Sequence, residues 1–338
     1  MTRTTEMNEI VEERYQFCIS LNLIARERGL ENIINVDLFR DFLKTPKYTE
    51  LATLKGHNDA VGSGCLALHE NKLVSGSYDD TIRIWNTETH ATIATLRVPG
   101  HVSNVALDEN KLYASLHHQR SIRIWSTETY KPIATLDGHT DSVICIALHG
   151  NKLYSGGVDR TIRIWNTETY EPIATLIGHD NSVKCLALHE NKLYSGGDNL
   201  GTIHIWNTET YEPIASLEGH TDCVLSLAFH DNKLYSGGRQ DNTIRVWNTE
   251  TYETIAKLEG HTEEVTCLAF HENKLYSGSM DRTIRIWNTD TYEQVVSWRG
   301  HYYSKYGNAG PFPVYVLTLH ENKLYSAGVD SMIRIWKV

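Results

Sequence analysis

The stretch His271–Glu293, "HENKLYSGSMDRTIRIWNTDTYE", decides the fold because the chain keeps returning to it. Gly150 opens "GNKLYSGGVDRTIRIWNTETYE" and His189 opens "HENKLYSGG". The runs "KLYSG" and "TIRIW" are rich in β-branched and aromatic residues and are separated by turn signals, which makes them strands. Working outward, runs such as "VKCLAL" precede them and runs such as "PIATL" follow, so each unit holds four short strands. Between the first two stands Glu190-Asn191, Gly150-Asn151 or Asp231-Asn232. Asparagine tolerates positive φ, so the reading places the left-handed turn residue at the Asn. "NTETY" turns the chain into the fourth strand.

Seven Gly-His pairs mark the units, at His57, His101, His139, His179, His220, His261 and His301. Seven tryptophans follow, at 85, 125, 165, 206, 247, 287 and 336, so the steps are 40, 40, 41, 41, 40 and 49. That is a fixed period with one insertion, and Trp298 stands outside it. A four-stranded meander cannot bury both faces alone, whereas radial stacking into a closed ring can. The ends support closure. The last unit stops two residues past Trp336 without a fourth strand, while upstream "YTELATLKGH" matches "YEPIATLIGH". Leu51 to Leu54 therefore supplies the outer strand of the seventh unit.

With a Gly-His…Trp spacing and a period of about 40 residues, residues 48–338 resemble a WD-repeat β-propeller. The expected fold is all-β: seven four-stranded antiparallel blades closed by an N-terminal strand, after a helical extension over residues 1–47. One departure is that the Trp is followed by Asn86, Asn166, Asn207, Asn248, Asn288, Ser126 or Lys337, never by Asp. The resemblance implies a hydrogen-bonded tetrad of Gly-His histidine, second-strand Ser, turn Asp and third-strand Trp. It maps onto His57, Ser75, Asp79 and Trp85; His139, Ser155, Asp159 and Trp165; and His261, Ser277, Asp281 and Trp287. It also maps onto His301, Ser326, Asp330 and Trp336, and, after a one-residue insertion, onto His220, Ser236, Asp241 and Trp247. Two blades break the pattern. In blade two Gln119 stands where Asp is expected and the first strand, "HVSNVALD", reads as shortened. In blade four Asp198 or Asn199 is an imperfect substitute.

Composition narrows the function. The net charge of −10 argues against a nucleic-acid phosphate binder. No apolar run approaches the ~20 residues of a membrane helix, there is no signal-type apolar segment, and no N-x-[ST] acceptor occurs. The expected location is cytoplasmic, with the nucleus as the second option. Cys65, Cys145, Cys185 and Cys267 fall at one equivalent repeat position, where they cannot converge on a metal and read as small buried hydrophobes. The adjacent His117 and His118 lack a third ligand. No P-loop, nucleophile elbow, H-E-x-x-H or dinucleotide fingerprint is found. No cofactor, metal or catalytic residue is expected, and the protein is read as a non-enzyme.

Residues 1–47 carry apolar positions Ile10, Val11, Tyr15, Cys18, Leu21 and Ala25 at helical steps, and a second short helix is expected from Val36 to Leu43. These helices either pack on the propeller, dock a partner or dimerise. The Arg found two positions past the dipeptide in many cullin-ligase receptors is absent; Glu88, Glu128, Glu168, Glu209, Glu250 and Asp290 stand there.

Binding is expected where the repeat varies. The loops before the first strands and the second turns share one upper face, bearing Asp59, Asp141, Asp180, Asp222, Glu263, Glu264 and Asp80, but also Arg120, Arg160, Arg239 and Arg282. Nine extra residues in "HYYSKYGNAGPFPVYVL" enlarge the loop before blade seven, and its glycines and prolines make it irregular. Its aromatics Tyr302, Tyr303, Tyr306 and Phe312, with Lys305 and neighbouring Tyr78 and Arg282, form the expected partner site, unless the rings fold back over the channel mouth or Trp298. The leading reading is an interaction scaffold for a protein or peptide. The alternative is a substrate-recognition subunit of a ubiquitin ligase complex docking through residues 1–47.

Overall fold

The computed structural model describes residues 48–197, 199–301 and 311–338. The helices expected within residues 1–47 lie outside them. Among the described residues seven four-stranded antiparallel sheets follow one another around a closed ring. Blade three shows the unit: strands Val143–His149 (a), Lys152–Gly157 (b), Thr161–Asn166 (c) and Pro172–Ile177 (d), hydrogen-bonded in that order. Blades one, two and four to six occupy residues 61–97, 102–137, 185–217, 224–258 and 265–298.

The seventh sheet is composite. Its strands Val314–His320, Lys323–Gly328 and Met332–Lys337 take Glu50–Lys55 as their outer strand, with Leu54 opposite Ile333. This closes the ring at a β-ladder between the two ends of the propeller, and Leu54 is buried there. Arg334 adds an ionic tie, its Nε 3.5 Å from Glu50 Oε2.

Burial explains why the second and third strands carry the loudest words. Strand b is buried almost throughout, while strand d exposes alternate residues and keeps only Leu176 buried in blade three. In five of the seven blades strand b carries a glycine where the next blade comes close. A Cβ on Gly156 would sit 2.5 Å from Val183 Cγ1, and one on Gly278 would sit 2.8 Å from Val314 Cγ1. The cysteines sit at the same seam. Cys65 Sγ lies 3.3 Å from Val102 O and Cys185 Sγ 3.4 Å from Val224 O, so each thiol donates weakly into the following blade. Burial pushes the Cys145 and Cys267 thiols up to about 12, and the five described cysteines are free.

The opposite face carries a second seam. Lys111 and Lys152 donate to the Thr167 and Thr208 carbonyls of the following blades at 2.7 and 3.0 Å, and lie over the Tyr170 and Tyr211 rings. The "NTETY" turn is an Asx turn: Asn166 Oδ1 accepts from the amides of Glu168 and Thr169 at 2.8 and 2.9 Å. Ser126 Oγ does the same at 3.3 and 3.1 Å, so a short acceptor after Trp suffices.

The turn between strands a and b departs from expectation. Positive φ falls on the residue before the Asn: 50° at Glu70, 55° at Gly150, 51° at Glu190, 49° at Glu272 and 52° at Glu321. Asn232, at 54°, shares it with Asp231 at 46°. A two-residue hairpin with positive φ only at its first residue is a II′ turn, which follows the strand twist as well as I′ does. Trp298 ends strand d of blade six opposite Ile284, the place Leu258 takes opposite Ile244 in blade five, and packs edge-on against Trp336 at 6.0 Å.

Candidate interaction site on the loop face

The d–a loops and b–c turns gather on one face of the ring, and the geometry there is fixed from beneath by the polar chains. In blade three Trp165 Nε1 donates to Ser155 Oγ at 2.9 Å, Ser155 Oγ meets His139 Nε2 at 2.8 Å, and His139 Nδ1 meets Asp159 Oδ2 at 2.8 Å. An indole N–H can only donate, so the serine accepts from Trp and gives its proton to the histidine. That leaves Nδ1–H to donate to the carboxylate. The same contacts join His57, Ser75, Asp79 and Trp85, His220, Ser236, Asp241 and Trp247, His261, Ser277, Asp281 and Trp287, and His301, Ser326, Asp330 and Trp336.

Each serine is 0% exposed and its oxygen is already engaged by Trp, so these His-Ser-Asp sets offer no nucleophile. They brace the loops. Asp159 also accepts the amides of Thr140 and Thr161 and the Thr161 hydroxyl, tying the d–a loop to the b–c turn. The threonine was missed in the sequence, although "DRT" and "DDT" repeat it. Gly138 belongs to the same assembly, since a Cβ there would lie 2.9 Å from Trp165 Cη2.

Burial works against charge at these sites, but the hydrogen bonds to Asp79, Asp159 and Asp281 outweigh it and hold all three well below the usual carboxylate range. Desolvation lowers His57, His261 and His301, which favours the neutral ring the chain requires. In blade seven Arg334 joins the set, reaching Asp330 from strand c.

Blade two is different. His101 stands directly before strand a, Val102–Leu107, whereas three residues separate His139 from Val143. Strand a has six residues, fewer than the seven or more of blades one, three, five, six and seven, and the larger deletion falls in the loop before it. Ala114 pairs with Arg123 as Ser155 pairs with Arg163, so the serine is missing as well. Gln119 turns away and donates to Pro99 O at 3.2 Å. His101, with no seat, swings outward to 46% side-chain exposure, bonding Tyr78 O and approaching Asp80 at 3.3 Å. In blade four Asp198 lies outside the described residues; His179 Nε2 still meets Ser195 Oγ at 2.7 Å, and Asn199 instead accepts from Cys223 Sγ at 3.4 Å.

The expected partner residues separate. Tyr302, Tyr303, Lys305 and Tyr306 lie outside the described residues. Phe312 is half-buried, its amide donating to His301 O at 2.8 Å. Tyr78, 38% exposed, packs on His101 with ring centroids 5.4 Å apart and borders a central channel of about 380 Å³. Tyr315, three residues beyond Phe312, is close enough to raise the Tyr78 hydroxyl, after the larger effect of burial and that of Cys65. Arg282 stands in the b–c turn of blade six, and among the described residues no hydrogen bond joins it to Tyr78. Tyr78 thus belongs with blades seven and two. His117, Lys184 and Asn104 line the same channel, and the His117 and His118 rings meet edge-on at 4.1 Å.

The acidic lean of the face is partly spent in the loops. Asp141 Oδ1 accepts the Ser142 amide, and Glu264 is paired with Arg239 at 3.0 Å. Among the described residues no group of three metal-ligating side chains converges, and no helix is long and apolar enough to cross a membrane.

A family model described as "WD domain, G-beta repeat" matches residues 48–86, 130–166, 170–207, 211–248 and 252–288. The chain is 30% identical over 109 residues to the ribosome biogenesis protein bop1 of Danio rerio, covering 30% of this chain and 14% of that one. It is 51% identical over 53 residues to the probable E3 ubiquitin ligase complex SCF subunit scon-2 of Neurospora crassa, covering 16% and 8%. The matched region is therefore a small fraction of each relative. Among solved structures the computationally designed Ika8 protein aligns with a TM-score of 0.68 at 25% identity, over 86% of this chain and 99% of that one.

Proposed function

This chain belongs to the WD40 family, and from that premise we propose that it is a non-catalytic scaffold holding a protein or peptide partner on its loop face, in the sector of blades seven, one and two. The observation that carries this is the dismantled tetrad of blade two, which leaves His101 exposed against Tyr78 at the channel mouth. A buried brace becomes a polar and aromatic surface, and aromatic anchors at the rim of a pocket are the usual centre of a binding patch. Tyr315, in the first strand of blade seven, approaches Tyr78 in this sector, and we include the insert's Phe312, Tyr302, Tyr303, Tyr306 and Lys305 in the proposed site. We also include Arg282, from the b–c turn of blade six, in the proposed site.

The test is affinity purification with quantitative mass spectrometry, comparing wild type with Tyr78→Ala/His101→Ala and with a chain whose insert is trimmed to the length of "GHTDSV". Partners lost in both variants at unchanged Tm support the reading. Partners retained by both move the site to another blade.

A second reading is a substrate-recognition subunit of a ubiquitin ligase, docking through residues 1–47. The likeness to scon-2, an SCF subunit by name, favours it, whereas the likeness to bop1 favours a ribosome-biogenesis assembly; both likenesses lie within a short part of those proteins. Cullin-ligase components recovered by the full chain but not after removal of residues 1–47 would select the ligase reading.

A further inference from the structure

Six blades place a tyrosine in the middle of strand b: Tyr113, Tyr154, Tyr194, Tyr235, Tyr276 and Tyr325, all at most 1% exposed. Each described seat reaches into the next blade. Tyr154 packs with Leu193 and Trp206 of blade four, and Tyr194 with Leu234 and Trp247 of blade five. Blade one reads "KLVSG", and Val74 occupies this position, paired with Ile84 as Tyr154 is with Ile164. Where the ring is missing, a cleft of about 450 Å³ opens between blades one and two, on the face opposite the loop site. That volume lies within the roughly 300–1,000 Å³ of small-ligand sites.

The walls are those of the tyrosine seats. Val74, Ile84 and Leu112, each at most 2% exposed, lie at the base, with Leu107 and Tyr130 partly exposed at the sides. Leu107 takes the place of Phe229, whose ring meets Tyr194 edge-on at 4.9 Å in the blade four–five seam. The rim is charged. Glu70, Glu109 and Glu128 are exposed around it, against Lys72, whose ammonium donates to Thr127 O at 3.3 Å, and His69. Three carboxylates and one ammonium leave a formal charge of −2 with His69 neutral.

We propose that this inter-blade cleft is a binding site for an aromatic ring carrying a nearby positive charge. The floor takes the ring because the six sister seams already do, and the rim carboxylates select a cation over an anion. The same chemistry comes from a free arylalkylamine or from a Phe or Tyr beside Lys or Arg in a peptide.

The experiment is a titration of the full-length chain followed by methyl NMR and calorimetry. Phenethylammonium represents the free amine, a capped Phe-Arg dipeptide the peptide source, and 3-phenylpropionate the same ring with a negative charge. Binding should shift the methyl signals of Val74, Ile84, Leu107 and Leu112, and the two cations should bind at least threefold more tightly than the anion. The tighter of the two cations identifies the source. Val74→Tyr should weaken cation binding more than tenfold and raise Tm, since it restores the residue used six times elsewhere. Glu109→Gln/Glu128→Gln, on the exposed rim, should reduce the cation preference about threefold to tenfold without disturbing the fold, as expected for exposed pairs. This second variant decides the matter if Val74→Tyr does not fold. Failure of both cations to bind, equal binding of cation and anion, shifts confined to other methyls, or undiminished binding by folded Val74→Tyr would each overturn the proposal.

Discussion

Blades two and three share the core apolar residues of strands b, c and d, yet only one has a tetrad. Both bury their Trp, at 6% and 2% exposure, and both pair strands a to d in the same order. What separates them is polar: blade three threads Trp165, Ser155, His139 and Asp159 together, while blade two has Ala114, a displaced His101 and a diverted Gln119. The fold therefore rests on apolar packing between blades, and the polar chain adds local order to the loop face. Losing it in one blade leaves the ring intact and frees a histidine for other use.

The severest way to break this comparison is to open the ring. A blade without a tetrad is tolerated because both its neighbours press on it, so cutting the closure should cost more than any tetrad. Removal of residues 1–55 takes away Leu54 and the partner of Met332–Lys337, baring a strand edge. It should destabilise by more than about 4 kcal/mol, whereas removal of residues 1–47 should leave the propeller folded. Thermal melts of the two truncations check this, and equal Tm values would refute the clasp.

Next in size come the tetrads. Asp159→Ala and Asp281→Ala strand buried donors and should each cost about 1–3 kcal/mol. Gln119→Ala should stay within about 0.5 kcal/mol, because the Gln119 side chain donates to an exposed backbone carbonyl that water can satisfy. If the three cost the same in denaturant titrations, the contrast between the blades is false.

The tetrads also carry a pH signature. His57, His261 and His301 have folded pKa values lowered by desolvation, so the unfolded chain binds more protons near and below its own His pKa of about 6.5. Stability from these rings is present above that value and is lost as pH falls below it. Each contributes a slope of at most about 1.4 kcal/mol per pH unit. The three aspartates are depressed, so their contribution is lost only further down, below about pH 3.9. Urea midpoints measured from pH 7.5 to 5 should fall, and His57→Gln should flatten the slope.

Most of the ring was legible because the closing rule is local: a repeated Gly-His…Trp spacing sets the blades, and "YTELATLKGH" names the clasp. The seams were not. That Val74 leaves a cleft depends on its neighbour across the blade boundary, Leu112 of blade two, which no single repeat reveals. The "KLV" in a series of "KLY" is its visible sign. The fate of blade two was half read. Gln119 stood out, but the missing three residues between His101 and Val102 decide more, since they deny the histidine its reach. The turn residue was misjudged for another reason: Asn tolerates positive φ, but with II′ geometry it is the residue before it that must take it.

The smallest expected effect sharpens the comparison by repairing blade two. "KLYAS" differs from "KLYSG" by a shift of its serine, so that Ser115 sits where glycine normally faces the next blade. Its buried Oγ has no hydrogen-bond partner, while Ala114 faces the place from which serine serves the Trp in other blades. Ala114→Ser/Ser115→Gly should give Trp125 Nε1 an acceptor and remove one unsatisfied hydroxyl. Without a seated histidine the new serine gains only half of its usual partners, so the gain should be about 0.5–1 kcal/mol, one modest hydrogen bond. Ala327 at the same position in blade seven is buried without a glycine, which indicates that a lone Cβ there is accommodated. Denaturant titration decides. A loss of stability would mean that Ser115 now fills space between blades two and three, and that blade two has repacked around its altered word.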